Sequence, residues 1–314
     1  MSLETSLREI ARKLLEEGQV DVIIGYEKGS LPLQTTPCFI DDADDVDRLV
    51  WNESCGNNLA KYLVDRKDKA GVVAKGCDAR SIVMLVVEKQ VERDKVVIIG
   101  VPCSGIIDRR KIVETLEGRE MLEATIKGDK VVVNVEGSEE VFAKEQFLCE
   151  SCQTCEHRNA PIYDVFVGEK AKETKSMGET SLSELEKMTA SERWSFFKRE
   201  LGKCIRCYAC REVCPLCYCE ECFVDQTMPS WLGKTDDESE VMFYHVTRAL
   251  HLAGRCVDCG ACSRACPMGI NLRNLNRRVE KRVKELYNYE AGLSFEETPP
   301  LATFKLNDPQ EFIK

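Results

Sequence analysis

One cysteine spacing occurs twice in this chain, and no other feature restricts its fold as strongly. The first copy reads Cys204-Ile-Arg-Cys207-Tyr-Ala-Cys210-Arg-Glu-Val-Cys214-Pro215, and the second Cys256-Val-Asp-Cys259-Gly-Ala-Cys262-Ser-Arg-Ala-Cys266-Pro267. In a C-x2-C-x2-C-x3-C-P run, three closely spaced thiolates hold one face of a [4Fe–4S] cube. The fourth, on a chain turned away by proline, reaches the other cube. The predicted pairing is therefore crossed. Cys204, Cys207, Cys210 and Cys266 serve one cluster, and Cys256, Cys259, Cys262 and Cys214 the other. Tetrathiolate zinc is the competing chemistry, because zinc takes the same donors. Zinc sites pair two CxxC knuckles, and a three-cysteine run closed by Cys-Pro fits that pattern poorly.

The rest of the composition points the same way. The chain has 314 residues, 43% of them hydrophobic, enough for two or three packed domains. Its formal net charge of −10 argues against nucleic-acid or membrane-surface binding, which call for basic patches. No apolar run approaches the length of a membrane span, and the N-terminal Met1-Ser-Leu-Glu-Thr-Ser-Leu-Arg does not read as a signal peptide. Eighteen cysteines bunched in ligand spacings imply metal binding in a reducing, cytoplasmic setting, not a disulfide scaffold. The cysteines outside the two runs are Cys38, Cys55, Cys77, Cys103, Cys149, Cys152, Cys155, Cys217, Cys219 and Cys222.

Apolar positions from Leu3 to Leu15 predict an amphipathic helix over 3–17, stopped at Gly18, followed by a buried strand from Val20 to Gly25. The acidic run 41–47 reads as a solvated loop and helix start, with a docking surface for a basic partner as the alternative, and Leu59 to Asp65 as helical. Residues 70–105 carry the clearest fold signal. A strand over Gly71–Lys75, a turn, a helix over Arg80–Val91 with Asp78 as N-cap, and a strand over Lys95–Gly100 make a βαβ unit with parallel strands. Cys77 and Cys103 each follow the carboxyl end of a strand, so both face the crevice where open α/β sheets bind ligands. Free cysteines are also among the most buried residues, which leaves a structural role as the alternative. Neither a GxGxxG fingerprint nor a P-loop is present to demand a nucleotide.

Residues 122–143 read as β-ribbon, and Cys149-Glu-Ser-Cys152-Gln-Thr-Cys155 is a further CxxCxxC without a local Cys-Pro. A third cluster there needs a ligand from elsewhere, which Cys103 or Cys77 can supply. Cys217, Cys219 and Cys222 either join another cluster with unused N-terminal thiols or are spare. Cys55 completes the candidate ligands. Ser191 is expected to cap a helix to Leu201, Trp231 and Leu232 to pack a core, and 240–254 to form a helix whose His245 and His251 are packing or surface residues. Asn274 to Asn288 reads as a charged helix.

Residues 203–272 resemble the α-helical dicluster ferredoxins found in heterodisulfide reductases and in the iron–sulfur subunits of succinate dehydrogenase. The resemblance rests on both cysteine runs and on the helix Arg248-Ala-Leu-His-Leu-Ala-Gly-Arg255. Residues 70–170 resemble the beta-subunit family of deazaflavin-reducing hydrogenases and formate dehydrogenases. Its carriers are Lys75-Gly-Cys-Asp-Ala-Arg80, Gly100-Val-Pro-Cys103 and Cys152-x2-Cys155 followed by Asp164-Val-Phe-Val-Gly168. That resemblance implies a [4Fe–4S] cluster and FAD passing electrons to or from a diffusible cofactor.

The expected architecture is α/β: an N-terminal α/β domain with a partly parallel sheet (1–168), a linker (169–190), a mainly α-helical dicluster ferredoxin domain (191–289) and a tail (290–314). The expected function is electron transfer through three or four [4Fe–4S] clusters as a subunit of a cytoplasmic redox complex. Its partners would be flavin, hydrogenase, formate dehydrogenase or heterodisulfide reductase-like subunits. Two enzyme readings compete with it. In one, a flavin at the crevice serves a deazaflavin or nicotinamide cofactor. In the other, Cys77 and Cys103 hold a non-standard cluster acting on a disulfide or small substrate.

Overall fold

The computed structural model describes residues 2–173, 181–304 and 306. Helix α1 (Leu3–Glu16) begins where the Ser2 hydroxyl accepts the Thr5 N–H at 3.1 Å, and the chain leaves it through Gly18 at a φ of 62°. There follow β1 (Val22–Lys28), β2 (Thr35–Ile40), β3 (Ala70–Ala74), α2 (Gly76–Val87), β4 (Val96–Gly100), α3 (Arg109–Thr115), β5 (Met121–Lys127), β6 (Lys130–Val135), β7 (Ser138–Ala143), α4 (Glu150–Gln153) and β8 (Val165–Phe166). One sheet runs β2-β1-β3-β4-β8, with β1, β3, β4 and β8 parallel and β2 antiparallel. Every residue of β3 is buried, as an apolar central strand covered on both faces should be. Strands β5, β6 and β7 form a separate antiparallel meander over Ile112 and Phe147.

Two local expectations give way to backbone geometry. Helix α2 starts at Gly76 and ends at Val87, so Asp78 is not its N-cap but its third residue. There the carboxylate accepts the Lys75 N–H at 3.4 Å and holds the Lys75 ammonium at 2.8 Å. The early start depends on glycine, because a Cβ at position 76 would run into the His157 carbonyl oxygen. The predicted helix over Leu59 to Asp65 is only a 3-10 turn, Leu59–Tyr62, and Asp65 turns the chain away at a φ of 67°.

The C-terminal part is helical: α5 (Ser181–Lys187), α6 (Ala190–Leu201), α7 (Ala209–Glu212), α8 (Glu238–His251), α9 (Ala261–Ala265) and α10 (Arg273–Tyr287). Thr189, not Ser191, caps α6, since Thr189 and Glu192 exchange hydrogen bonds in a capping box (3.3 and 2.7 Å). Of the segment expected as an exposed linker, residues 174–180 lie outside the described residues. Helix α5 buries Leu182 and Leu185, and its Glu186 pairs with Lys281 of α10 at 2.7 Å. Trp231 is 63% exposed and packs no core, because Leu232 takes the buried slot beside Val241 and Tyr244.

The helices are fastened to the sheet. Leu216, Leu252, Ala253, Val257, Val283, Tyr289 and Ala291 share one buried cluster with the residues of β1, β3 and β4. Buried Arg80 of α2 donates to the Ala291 carbonyl at 2.9 Å, and Glu88 accepts the Tyr218 hydroxyl at 2.7 Å while also pairing with Arg255. Of the expected tail, residues 305 and 307–314 lie outside the described residues. Its start is tied down, with Glu290 holding His157 at 2.5 Å and Lys284 at 2.7 Å. Among the described residues no helix is long and apolar enough to cross a membrane.

Candidate iron–sulfur centre

The two cysteine runs adopt one backbone. The third and fifth residues of each sit in the left-handed region: Arg206 and Tyr208 (φ 52° and 58°), Asp258 and Gly260 (φ 56° and 72°). Two such residues curl the loop so that its amides point inward. The Arg206 N–H donates to the Cys204 sulfur at 3.3 Å, and the Asp258 N–H to the Cys256 sulfur at 3.4 Å. Short helices α7 and α9 follow the two loops and pack on each other. That packing carries the last cysteine of each run across. Burial pushes the Cys204 thiol up, and the nearby Cys266 and Cys207 add to the effect. Burial also pushes Cys259 up to about 11, with Arg264 opposing it and Cys214 reinforcing it. Cys262 likewise feels Cys214. Cys266 shares a buried cluster with Cys204, Cys210 and Cys262, while Cys214, Cys256 and Cys259 pack against the core of the sheet.

A third group of thiols lies on the sheet. β3 and β4 are parallel with Ala74 opposite Gly100, so Cys77 at the start of α2 and Cys103 after β4 emerge on one edge. With Cys152 and Cys155 they line a cavity of about 270 Å³. Cys256 and Cys259 of the second run line the same cavity, along with Lys75, Arg80, Arg158 and Arg264. The Ile106 N–H donates to the Cys152 sulfur at 3.3 Å. Cys152 is brought down to about 5 by its hydrogen bond with Cys149, against burial and with help from Arg264. Cys149, buried behind it, is pushed up correspondingly. Burial pushes Cys103 up to about 12 and Cys77 well up. Buried protonated thiols are costly to ionise alone, and iron, when bound, would supply the charge that favours the thiolate.

The donor set fits [4Fe–4S] clusters: sulfurs from several segments around one space, amides aimed at sulfur, and buried cations. Among the described residues no three His, Cys, Asp or Glu side chains converge to hold a single metal ion. Beneath the cavity, Lys75 is fully buried and donates to the Tyr26 hydroxyl (2.6 Å), the Asn57 carbonyl (2.6 Å) and Asp78 (2.8 Å).

The remaining candidates are placed differently. Cys55 is sealed in the core, its sulfur accepting the Asn52 N–H at 3.4 Å, and it does not reach the cavity. Cys38 is buried on β2. Cys217 lies beside Cys214, whose hydrogen bond brings it down to about 7. Cys222 packs against the small core around Cys210 and Tyr244, and Cys219 is exposed. The structure brings none of these three to the N-terminal thiols that line the cavity.

Sequence reading missed the ring of α8 side chains around these thiols. His245 is neither surface nor simple filler. It is 3% exposed, and its Nε2 lies 3.3 Å from the Cys204 sulfur. Burial, with Arg248 adding to it, holds the imidazole down to about 4, so the ring is uncharged. The Tyr244 hydroxyl is 3.6 Å from the Cys210 sulfur, and Arg248 donates to the Cys210 carbonyl at 2.9 Å. The signal was present in the spacing: Val241, Tyr244, His245 and Arg248 recur at three, four and seven residues and form the buried face of α8.

Comparison with known proteins agrees with this geometry. Residues 200–270 match the 4Fe-4S dicluster domain family. The chain is 25% identical over 353 residues to an F420-dependent formate dehydrogenase subunit beta of Methanocaldococcus jannaschii, covering 92% of this chain and 91% of that one. The chain is similar to that subunit along nearly all of its length. It is an iron–sulfur electron-transfer protein that carries [4Fe–4S] clusters. A second beta subunit, of F420-dependent formate dehydrogenase 1 from Methanococcus maripaludis, is 24% identical over 357 residues, covering 92% of this chain and 90% of that one. A chain of the F420-reducing [NiFe] hydrogenase complex from Methanosarcina barkeri shares 17% identity at a TM-score of 0.38. It covers 48% of this chain and 58% of its own length, and is too distant to argue from.

Proposed function

We propose that this chain relays electrons through three [4Fe–4S] clusters inside a cytoplasmic formate dehydrogenase-type complex, between a catalytic subunit and the deazaflavin F420. The first set is Cys204, Cys207, Cys210 and Cys266. The second is Cys214, Cys256, Cys259 and Cys262. The third is Cys77, Cys103, Cys152 and Cys155, with Cys149 against Cys152. The first two belong to a helical unit over 191–289 and the third to an α/β unit over 1–168.

The observation that carries this reading is the shared cavity. Thiols of the sheet edge and thiols of the second run line one space, so the second and third sets are neighbours without an intervening layer of protein. The clusters supply one-electron steps when bound. The chain's own part is to hold the sulfurs, to aim the amides of Arg206, Asp258 and Ile106 at them, and to exclude water from the buried sets.

Iron and sulfide per chain on anaerobically purified protein test this directly. About twelve irons are expected, falling by about four in Cys155→Ala while the ferredoxin-type signals stay. About eight irons in the unsubstituted chain would remove the third cluster. A second reading, a flavin-containing oxidoreductase, is favoured by the cations around the cavity, Arg158, Arg277, Lys281 and Lys284. One flavin per chain, with cofactor reduction by the isolated chain, would establish it.

A further inference from the structure

Two buried arginines mark the gaps between the thiol sets. Arg248 is 5% exposed on α8, donates Nη2–H to the Cys210 carbonyl at 2.9 Å, and has a buried Nε without a hydrogen-bond partner. The thiols that most influence it are Cys214, Cys217, Cys262 and Cys210. It touches the first set through Cys210, which shares a buried cluster with Cys262 of the second set. Arg264 occupies the other gap. Its Nη1 donates to the Cys259 carbonyl at 2.8 Å and meets the Ser151 hydroxyl at 3.4 Å, while Nη2 donates to the Gly56 carbonyl at 2.6 Å. Ser151 is the residue before Cys152, and Arg264 lines the cavity that Cys77, Cys152 and Cys259 share. Cys149, Cys152, Cys259 and Cys77 are the thiols that most influence it.

We infer that the electron path is linear, with the Cys214, Cys256, Cys259 and Cys262 set in the middle, and that Arg248 and Arg264 are the shared cations of its two gaps. The inference rests on the three-cluster reading. A guanidinium keeps its charge at every working pH. A fixed positive charge in a low-dielectric gap stabilises the added electron on whichever cluster it faces, and so raises that cluster's potential. Each arginine faces two clusters, so each sets two potentials, and only the middle cluster answers to both. The acidic Asp258 beside the middle set does not cancel this, since Arg273 binds both its oxygens at 2.5 and 2.6 Å.

The test is an EPR-monitored redox titration of the full chain in its purified complex, with iron counted on every sample. Signals are assigned first with Cys207→Ser, Cys256→Ser and Cys155→Ser. Arg248→Gln should lower the potentials of the first and middle clusters and leave the third. Arg264→Gln should lower those of the middle and third and leave the first. Arg248→Lys and Arg264→Lys, which keep the charge, should stay near the unsubstituted values. A third-cluster shift in Arg248→Gln, a first-cluster shift in Arg264→Gln, or no variant that moves two clusters would overturn the inference. If a Gln variant loses iron, spin coupling in the fully reduced unsubstituted protein decides. The middle cluster should couple to both others, and direct coupling of first to third would overturn the linear order. An unsubstituted chain with about eight irons would instead sink the three-cluster reading itself.

Discussion

Aligned position by position, the two cysteine runs place the same backbone in opposite surroundings. The second residue is Ile205 in one, 59% exposed, and Val257 in the other, 4% exposed. The third is Arg206, paired with Glu240 at 3.0 Å, against Asp258, held by Arg273 and Arg277. The fifth is Tyr208 against Gly260, both left-handed. Cys207 is exposed where Cys259 is partly covered. Two residues beyond the third cysteine, Glu212 faces solvent where Arg264 reaches into the thiol cavity. Placing three closely spaced sulfurs is thus a local matter that spacing and two left-handed residues solve twice. Access and electrostatics are not local. The first run looks outward, and the second is packed against the α/β unit.

The largest expected effect separates these roles. Cys207→Ala and Cys259→Ala should each cost about four irons per chain. Only Cys259→Ala should also lower the midpoint of anaerobic denaturation and make the third set's iron accessible to a chelator. Equal behaviour of the two variants would break the comparison. Next come the charged third positions. Asp258→Asn leaves buried Arg273 under-compensated and should destabilise the chain by about 2–3 kcal/mol, a value reduced because the carboxylate is partly exposed. Arg206→Gln should cost about 1–2 kcal/mol. Denaturation midpoints at constant m-value decide between them. At the second position, Val257→Ser should cost about 2 kcal/mol and Ile205→Ser no more than about 0.5 kcal/mol. A comparable loss in both would mean that the exposed rim of the first run is covered by something this chain does not contain. The smallest change of side chain is at the fifth position. Gly260→Ala meets the Ser151 hydroxyl at 2.5 Å and takes a left-handed φ, for about 1 kcal/mol.

Much of this protein is legible one segment at a time. The βαβ unit from Ala70 to Gly100, the β-ribbon and the helices α1, α8 and α10 all follow from spacings within about fifteen residues, because hydrophobic period acts over that range. Helix starts were less legible. Lys75 reads as the end of a strand and Asp78 as the cap until Gly76 is seen to lie against the His157 carbonyl, a contact set by a distant loop.

From the order of residues alone it follows that the chain binds [4Fe–4S] clusters and that a parallel sheet brings Cys77 and Cys103 to one edge. It took the packed molecule to bring Cys152 and Cys155 to them there, to seal Cys55 away, and to set His245, Arg248 and Arg264 among the thiols. The reason is physical. Three closely spaced sulfurs of one cube are a question of a few ångströms along one loop. Which cation sits between two cubes depends on how helices from opposite ends of the chain pack onto one sheet.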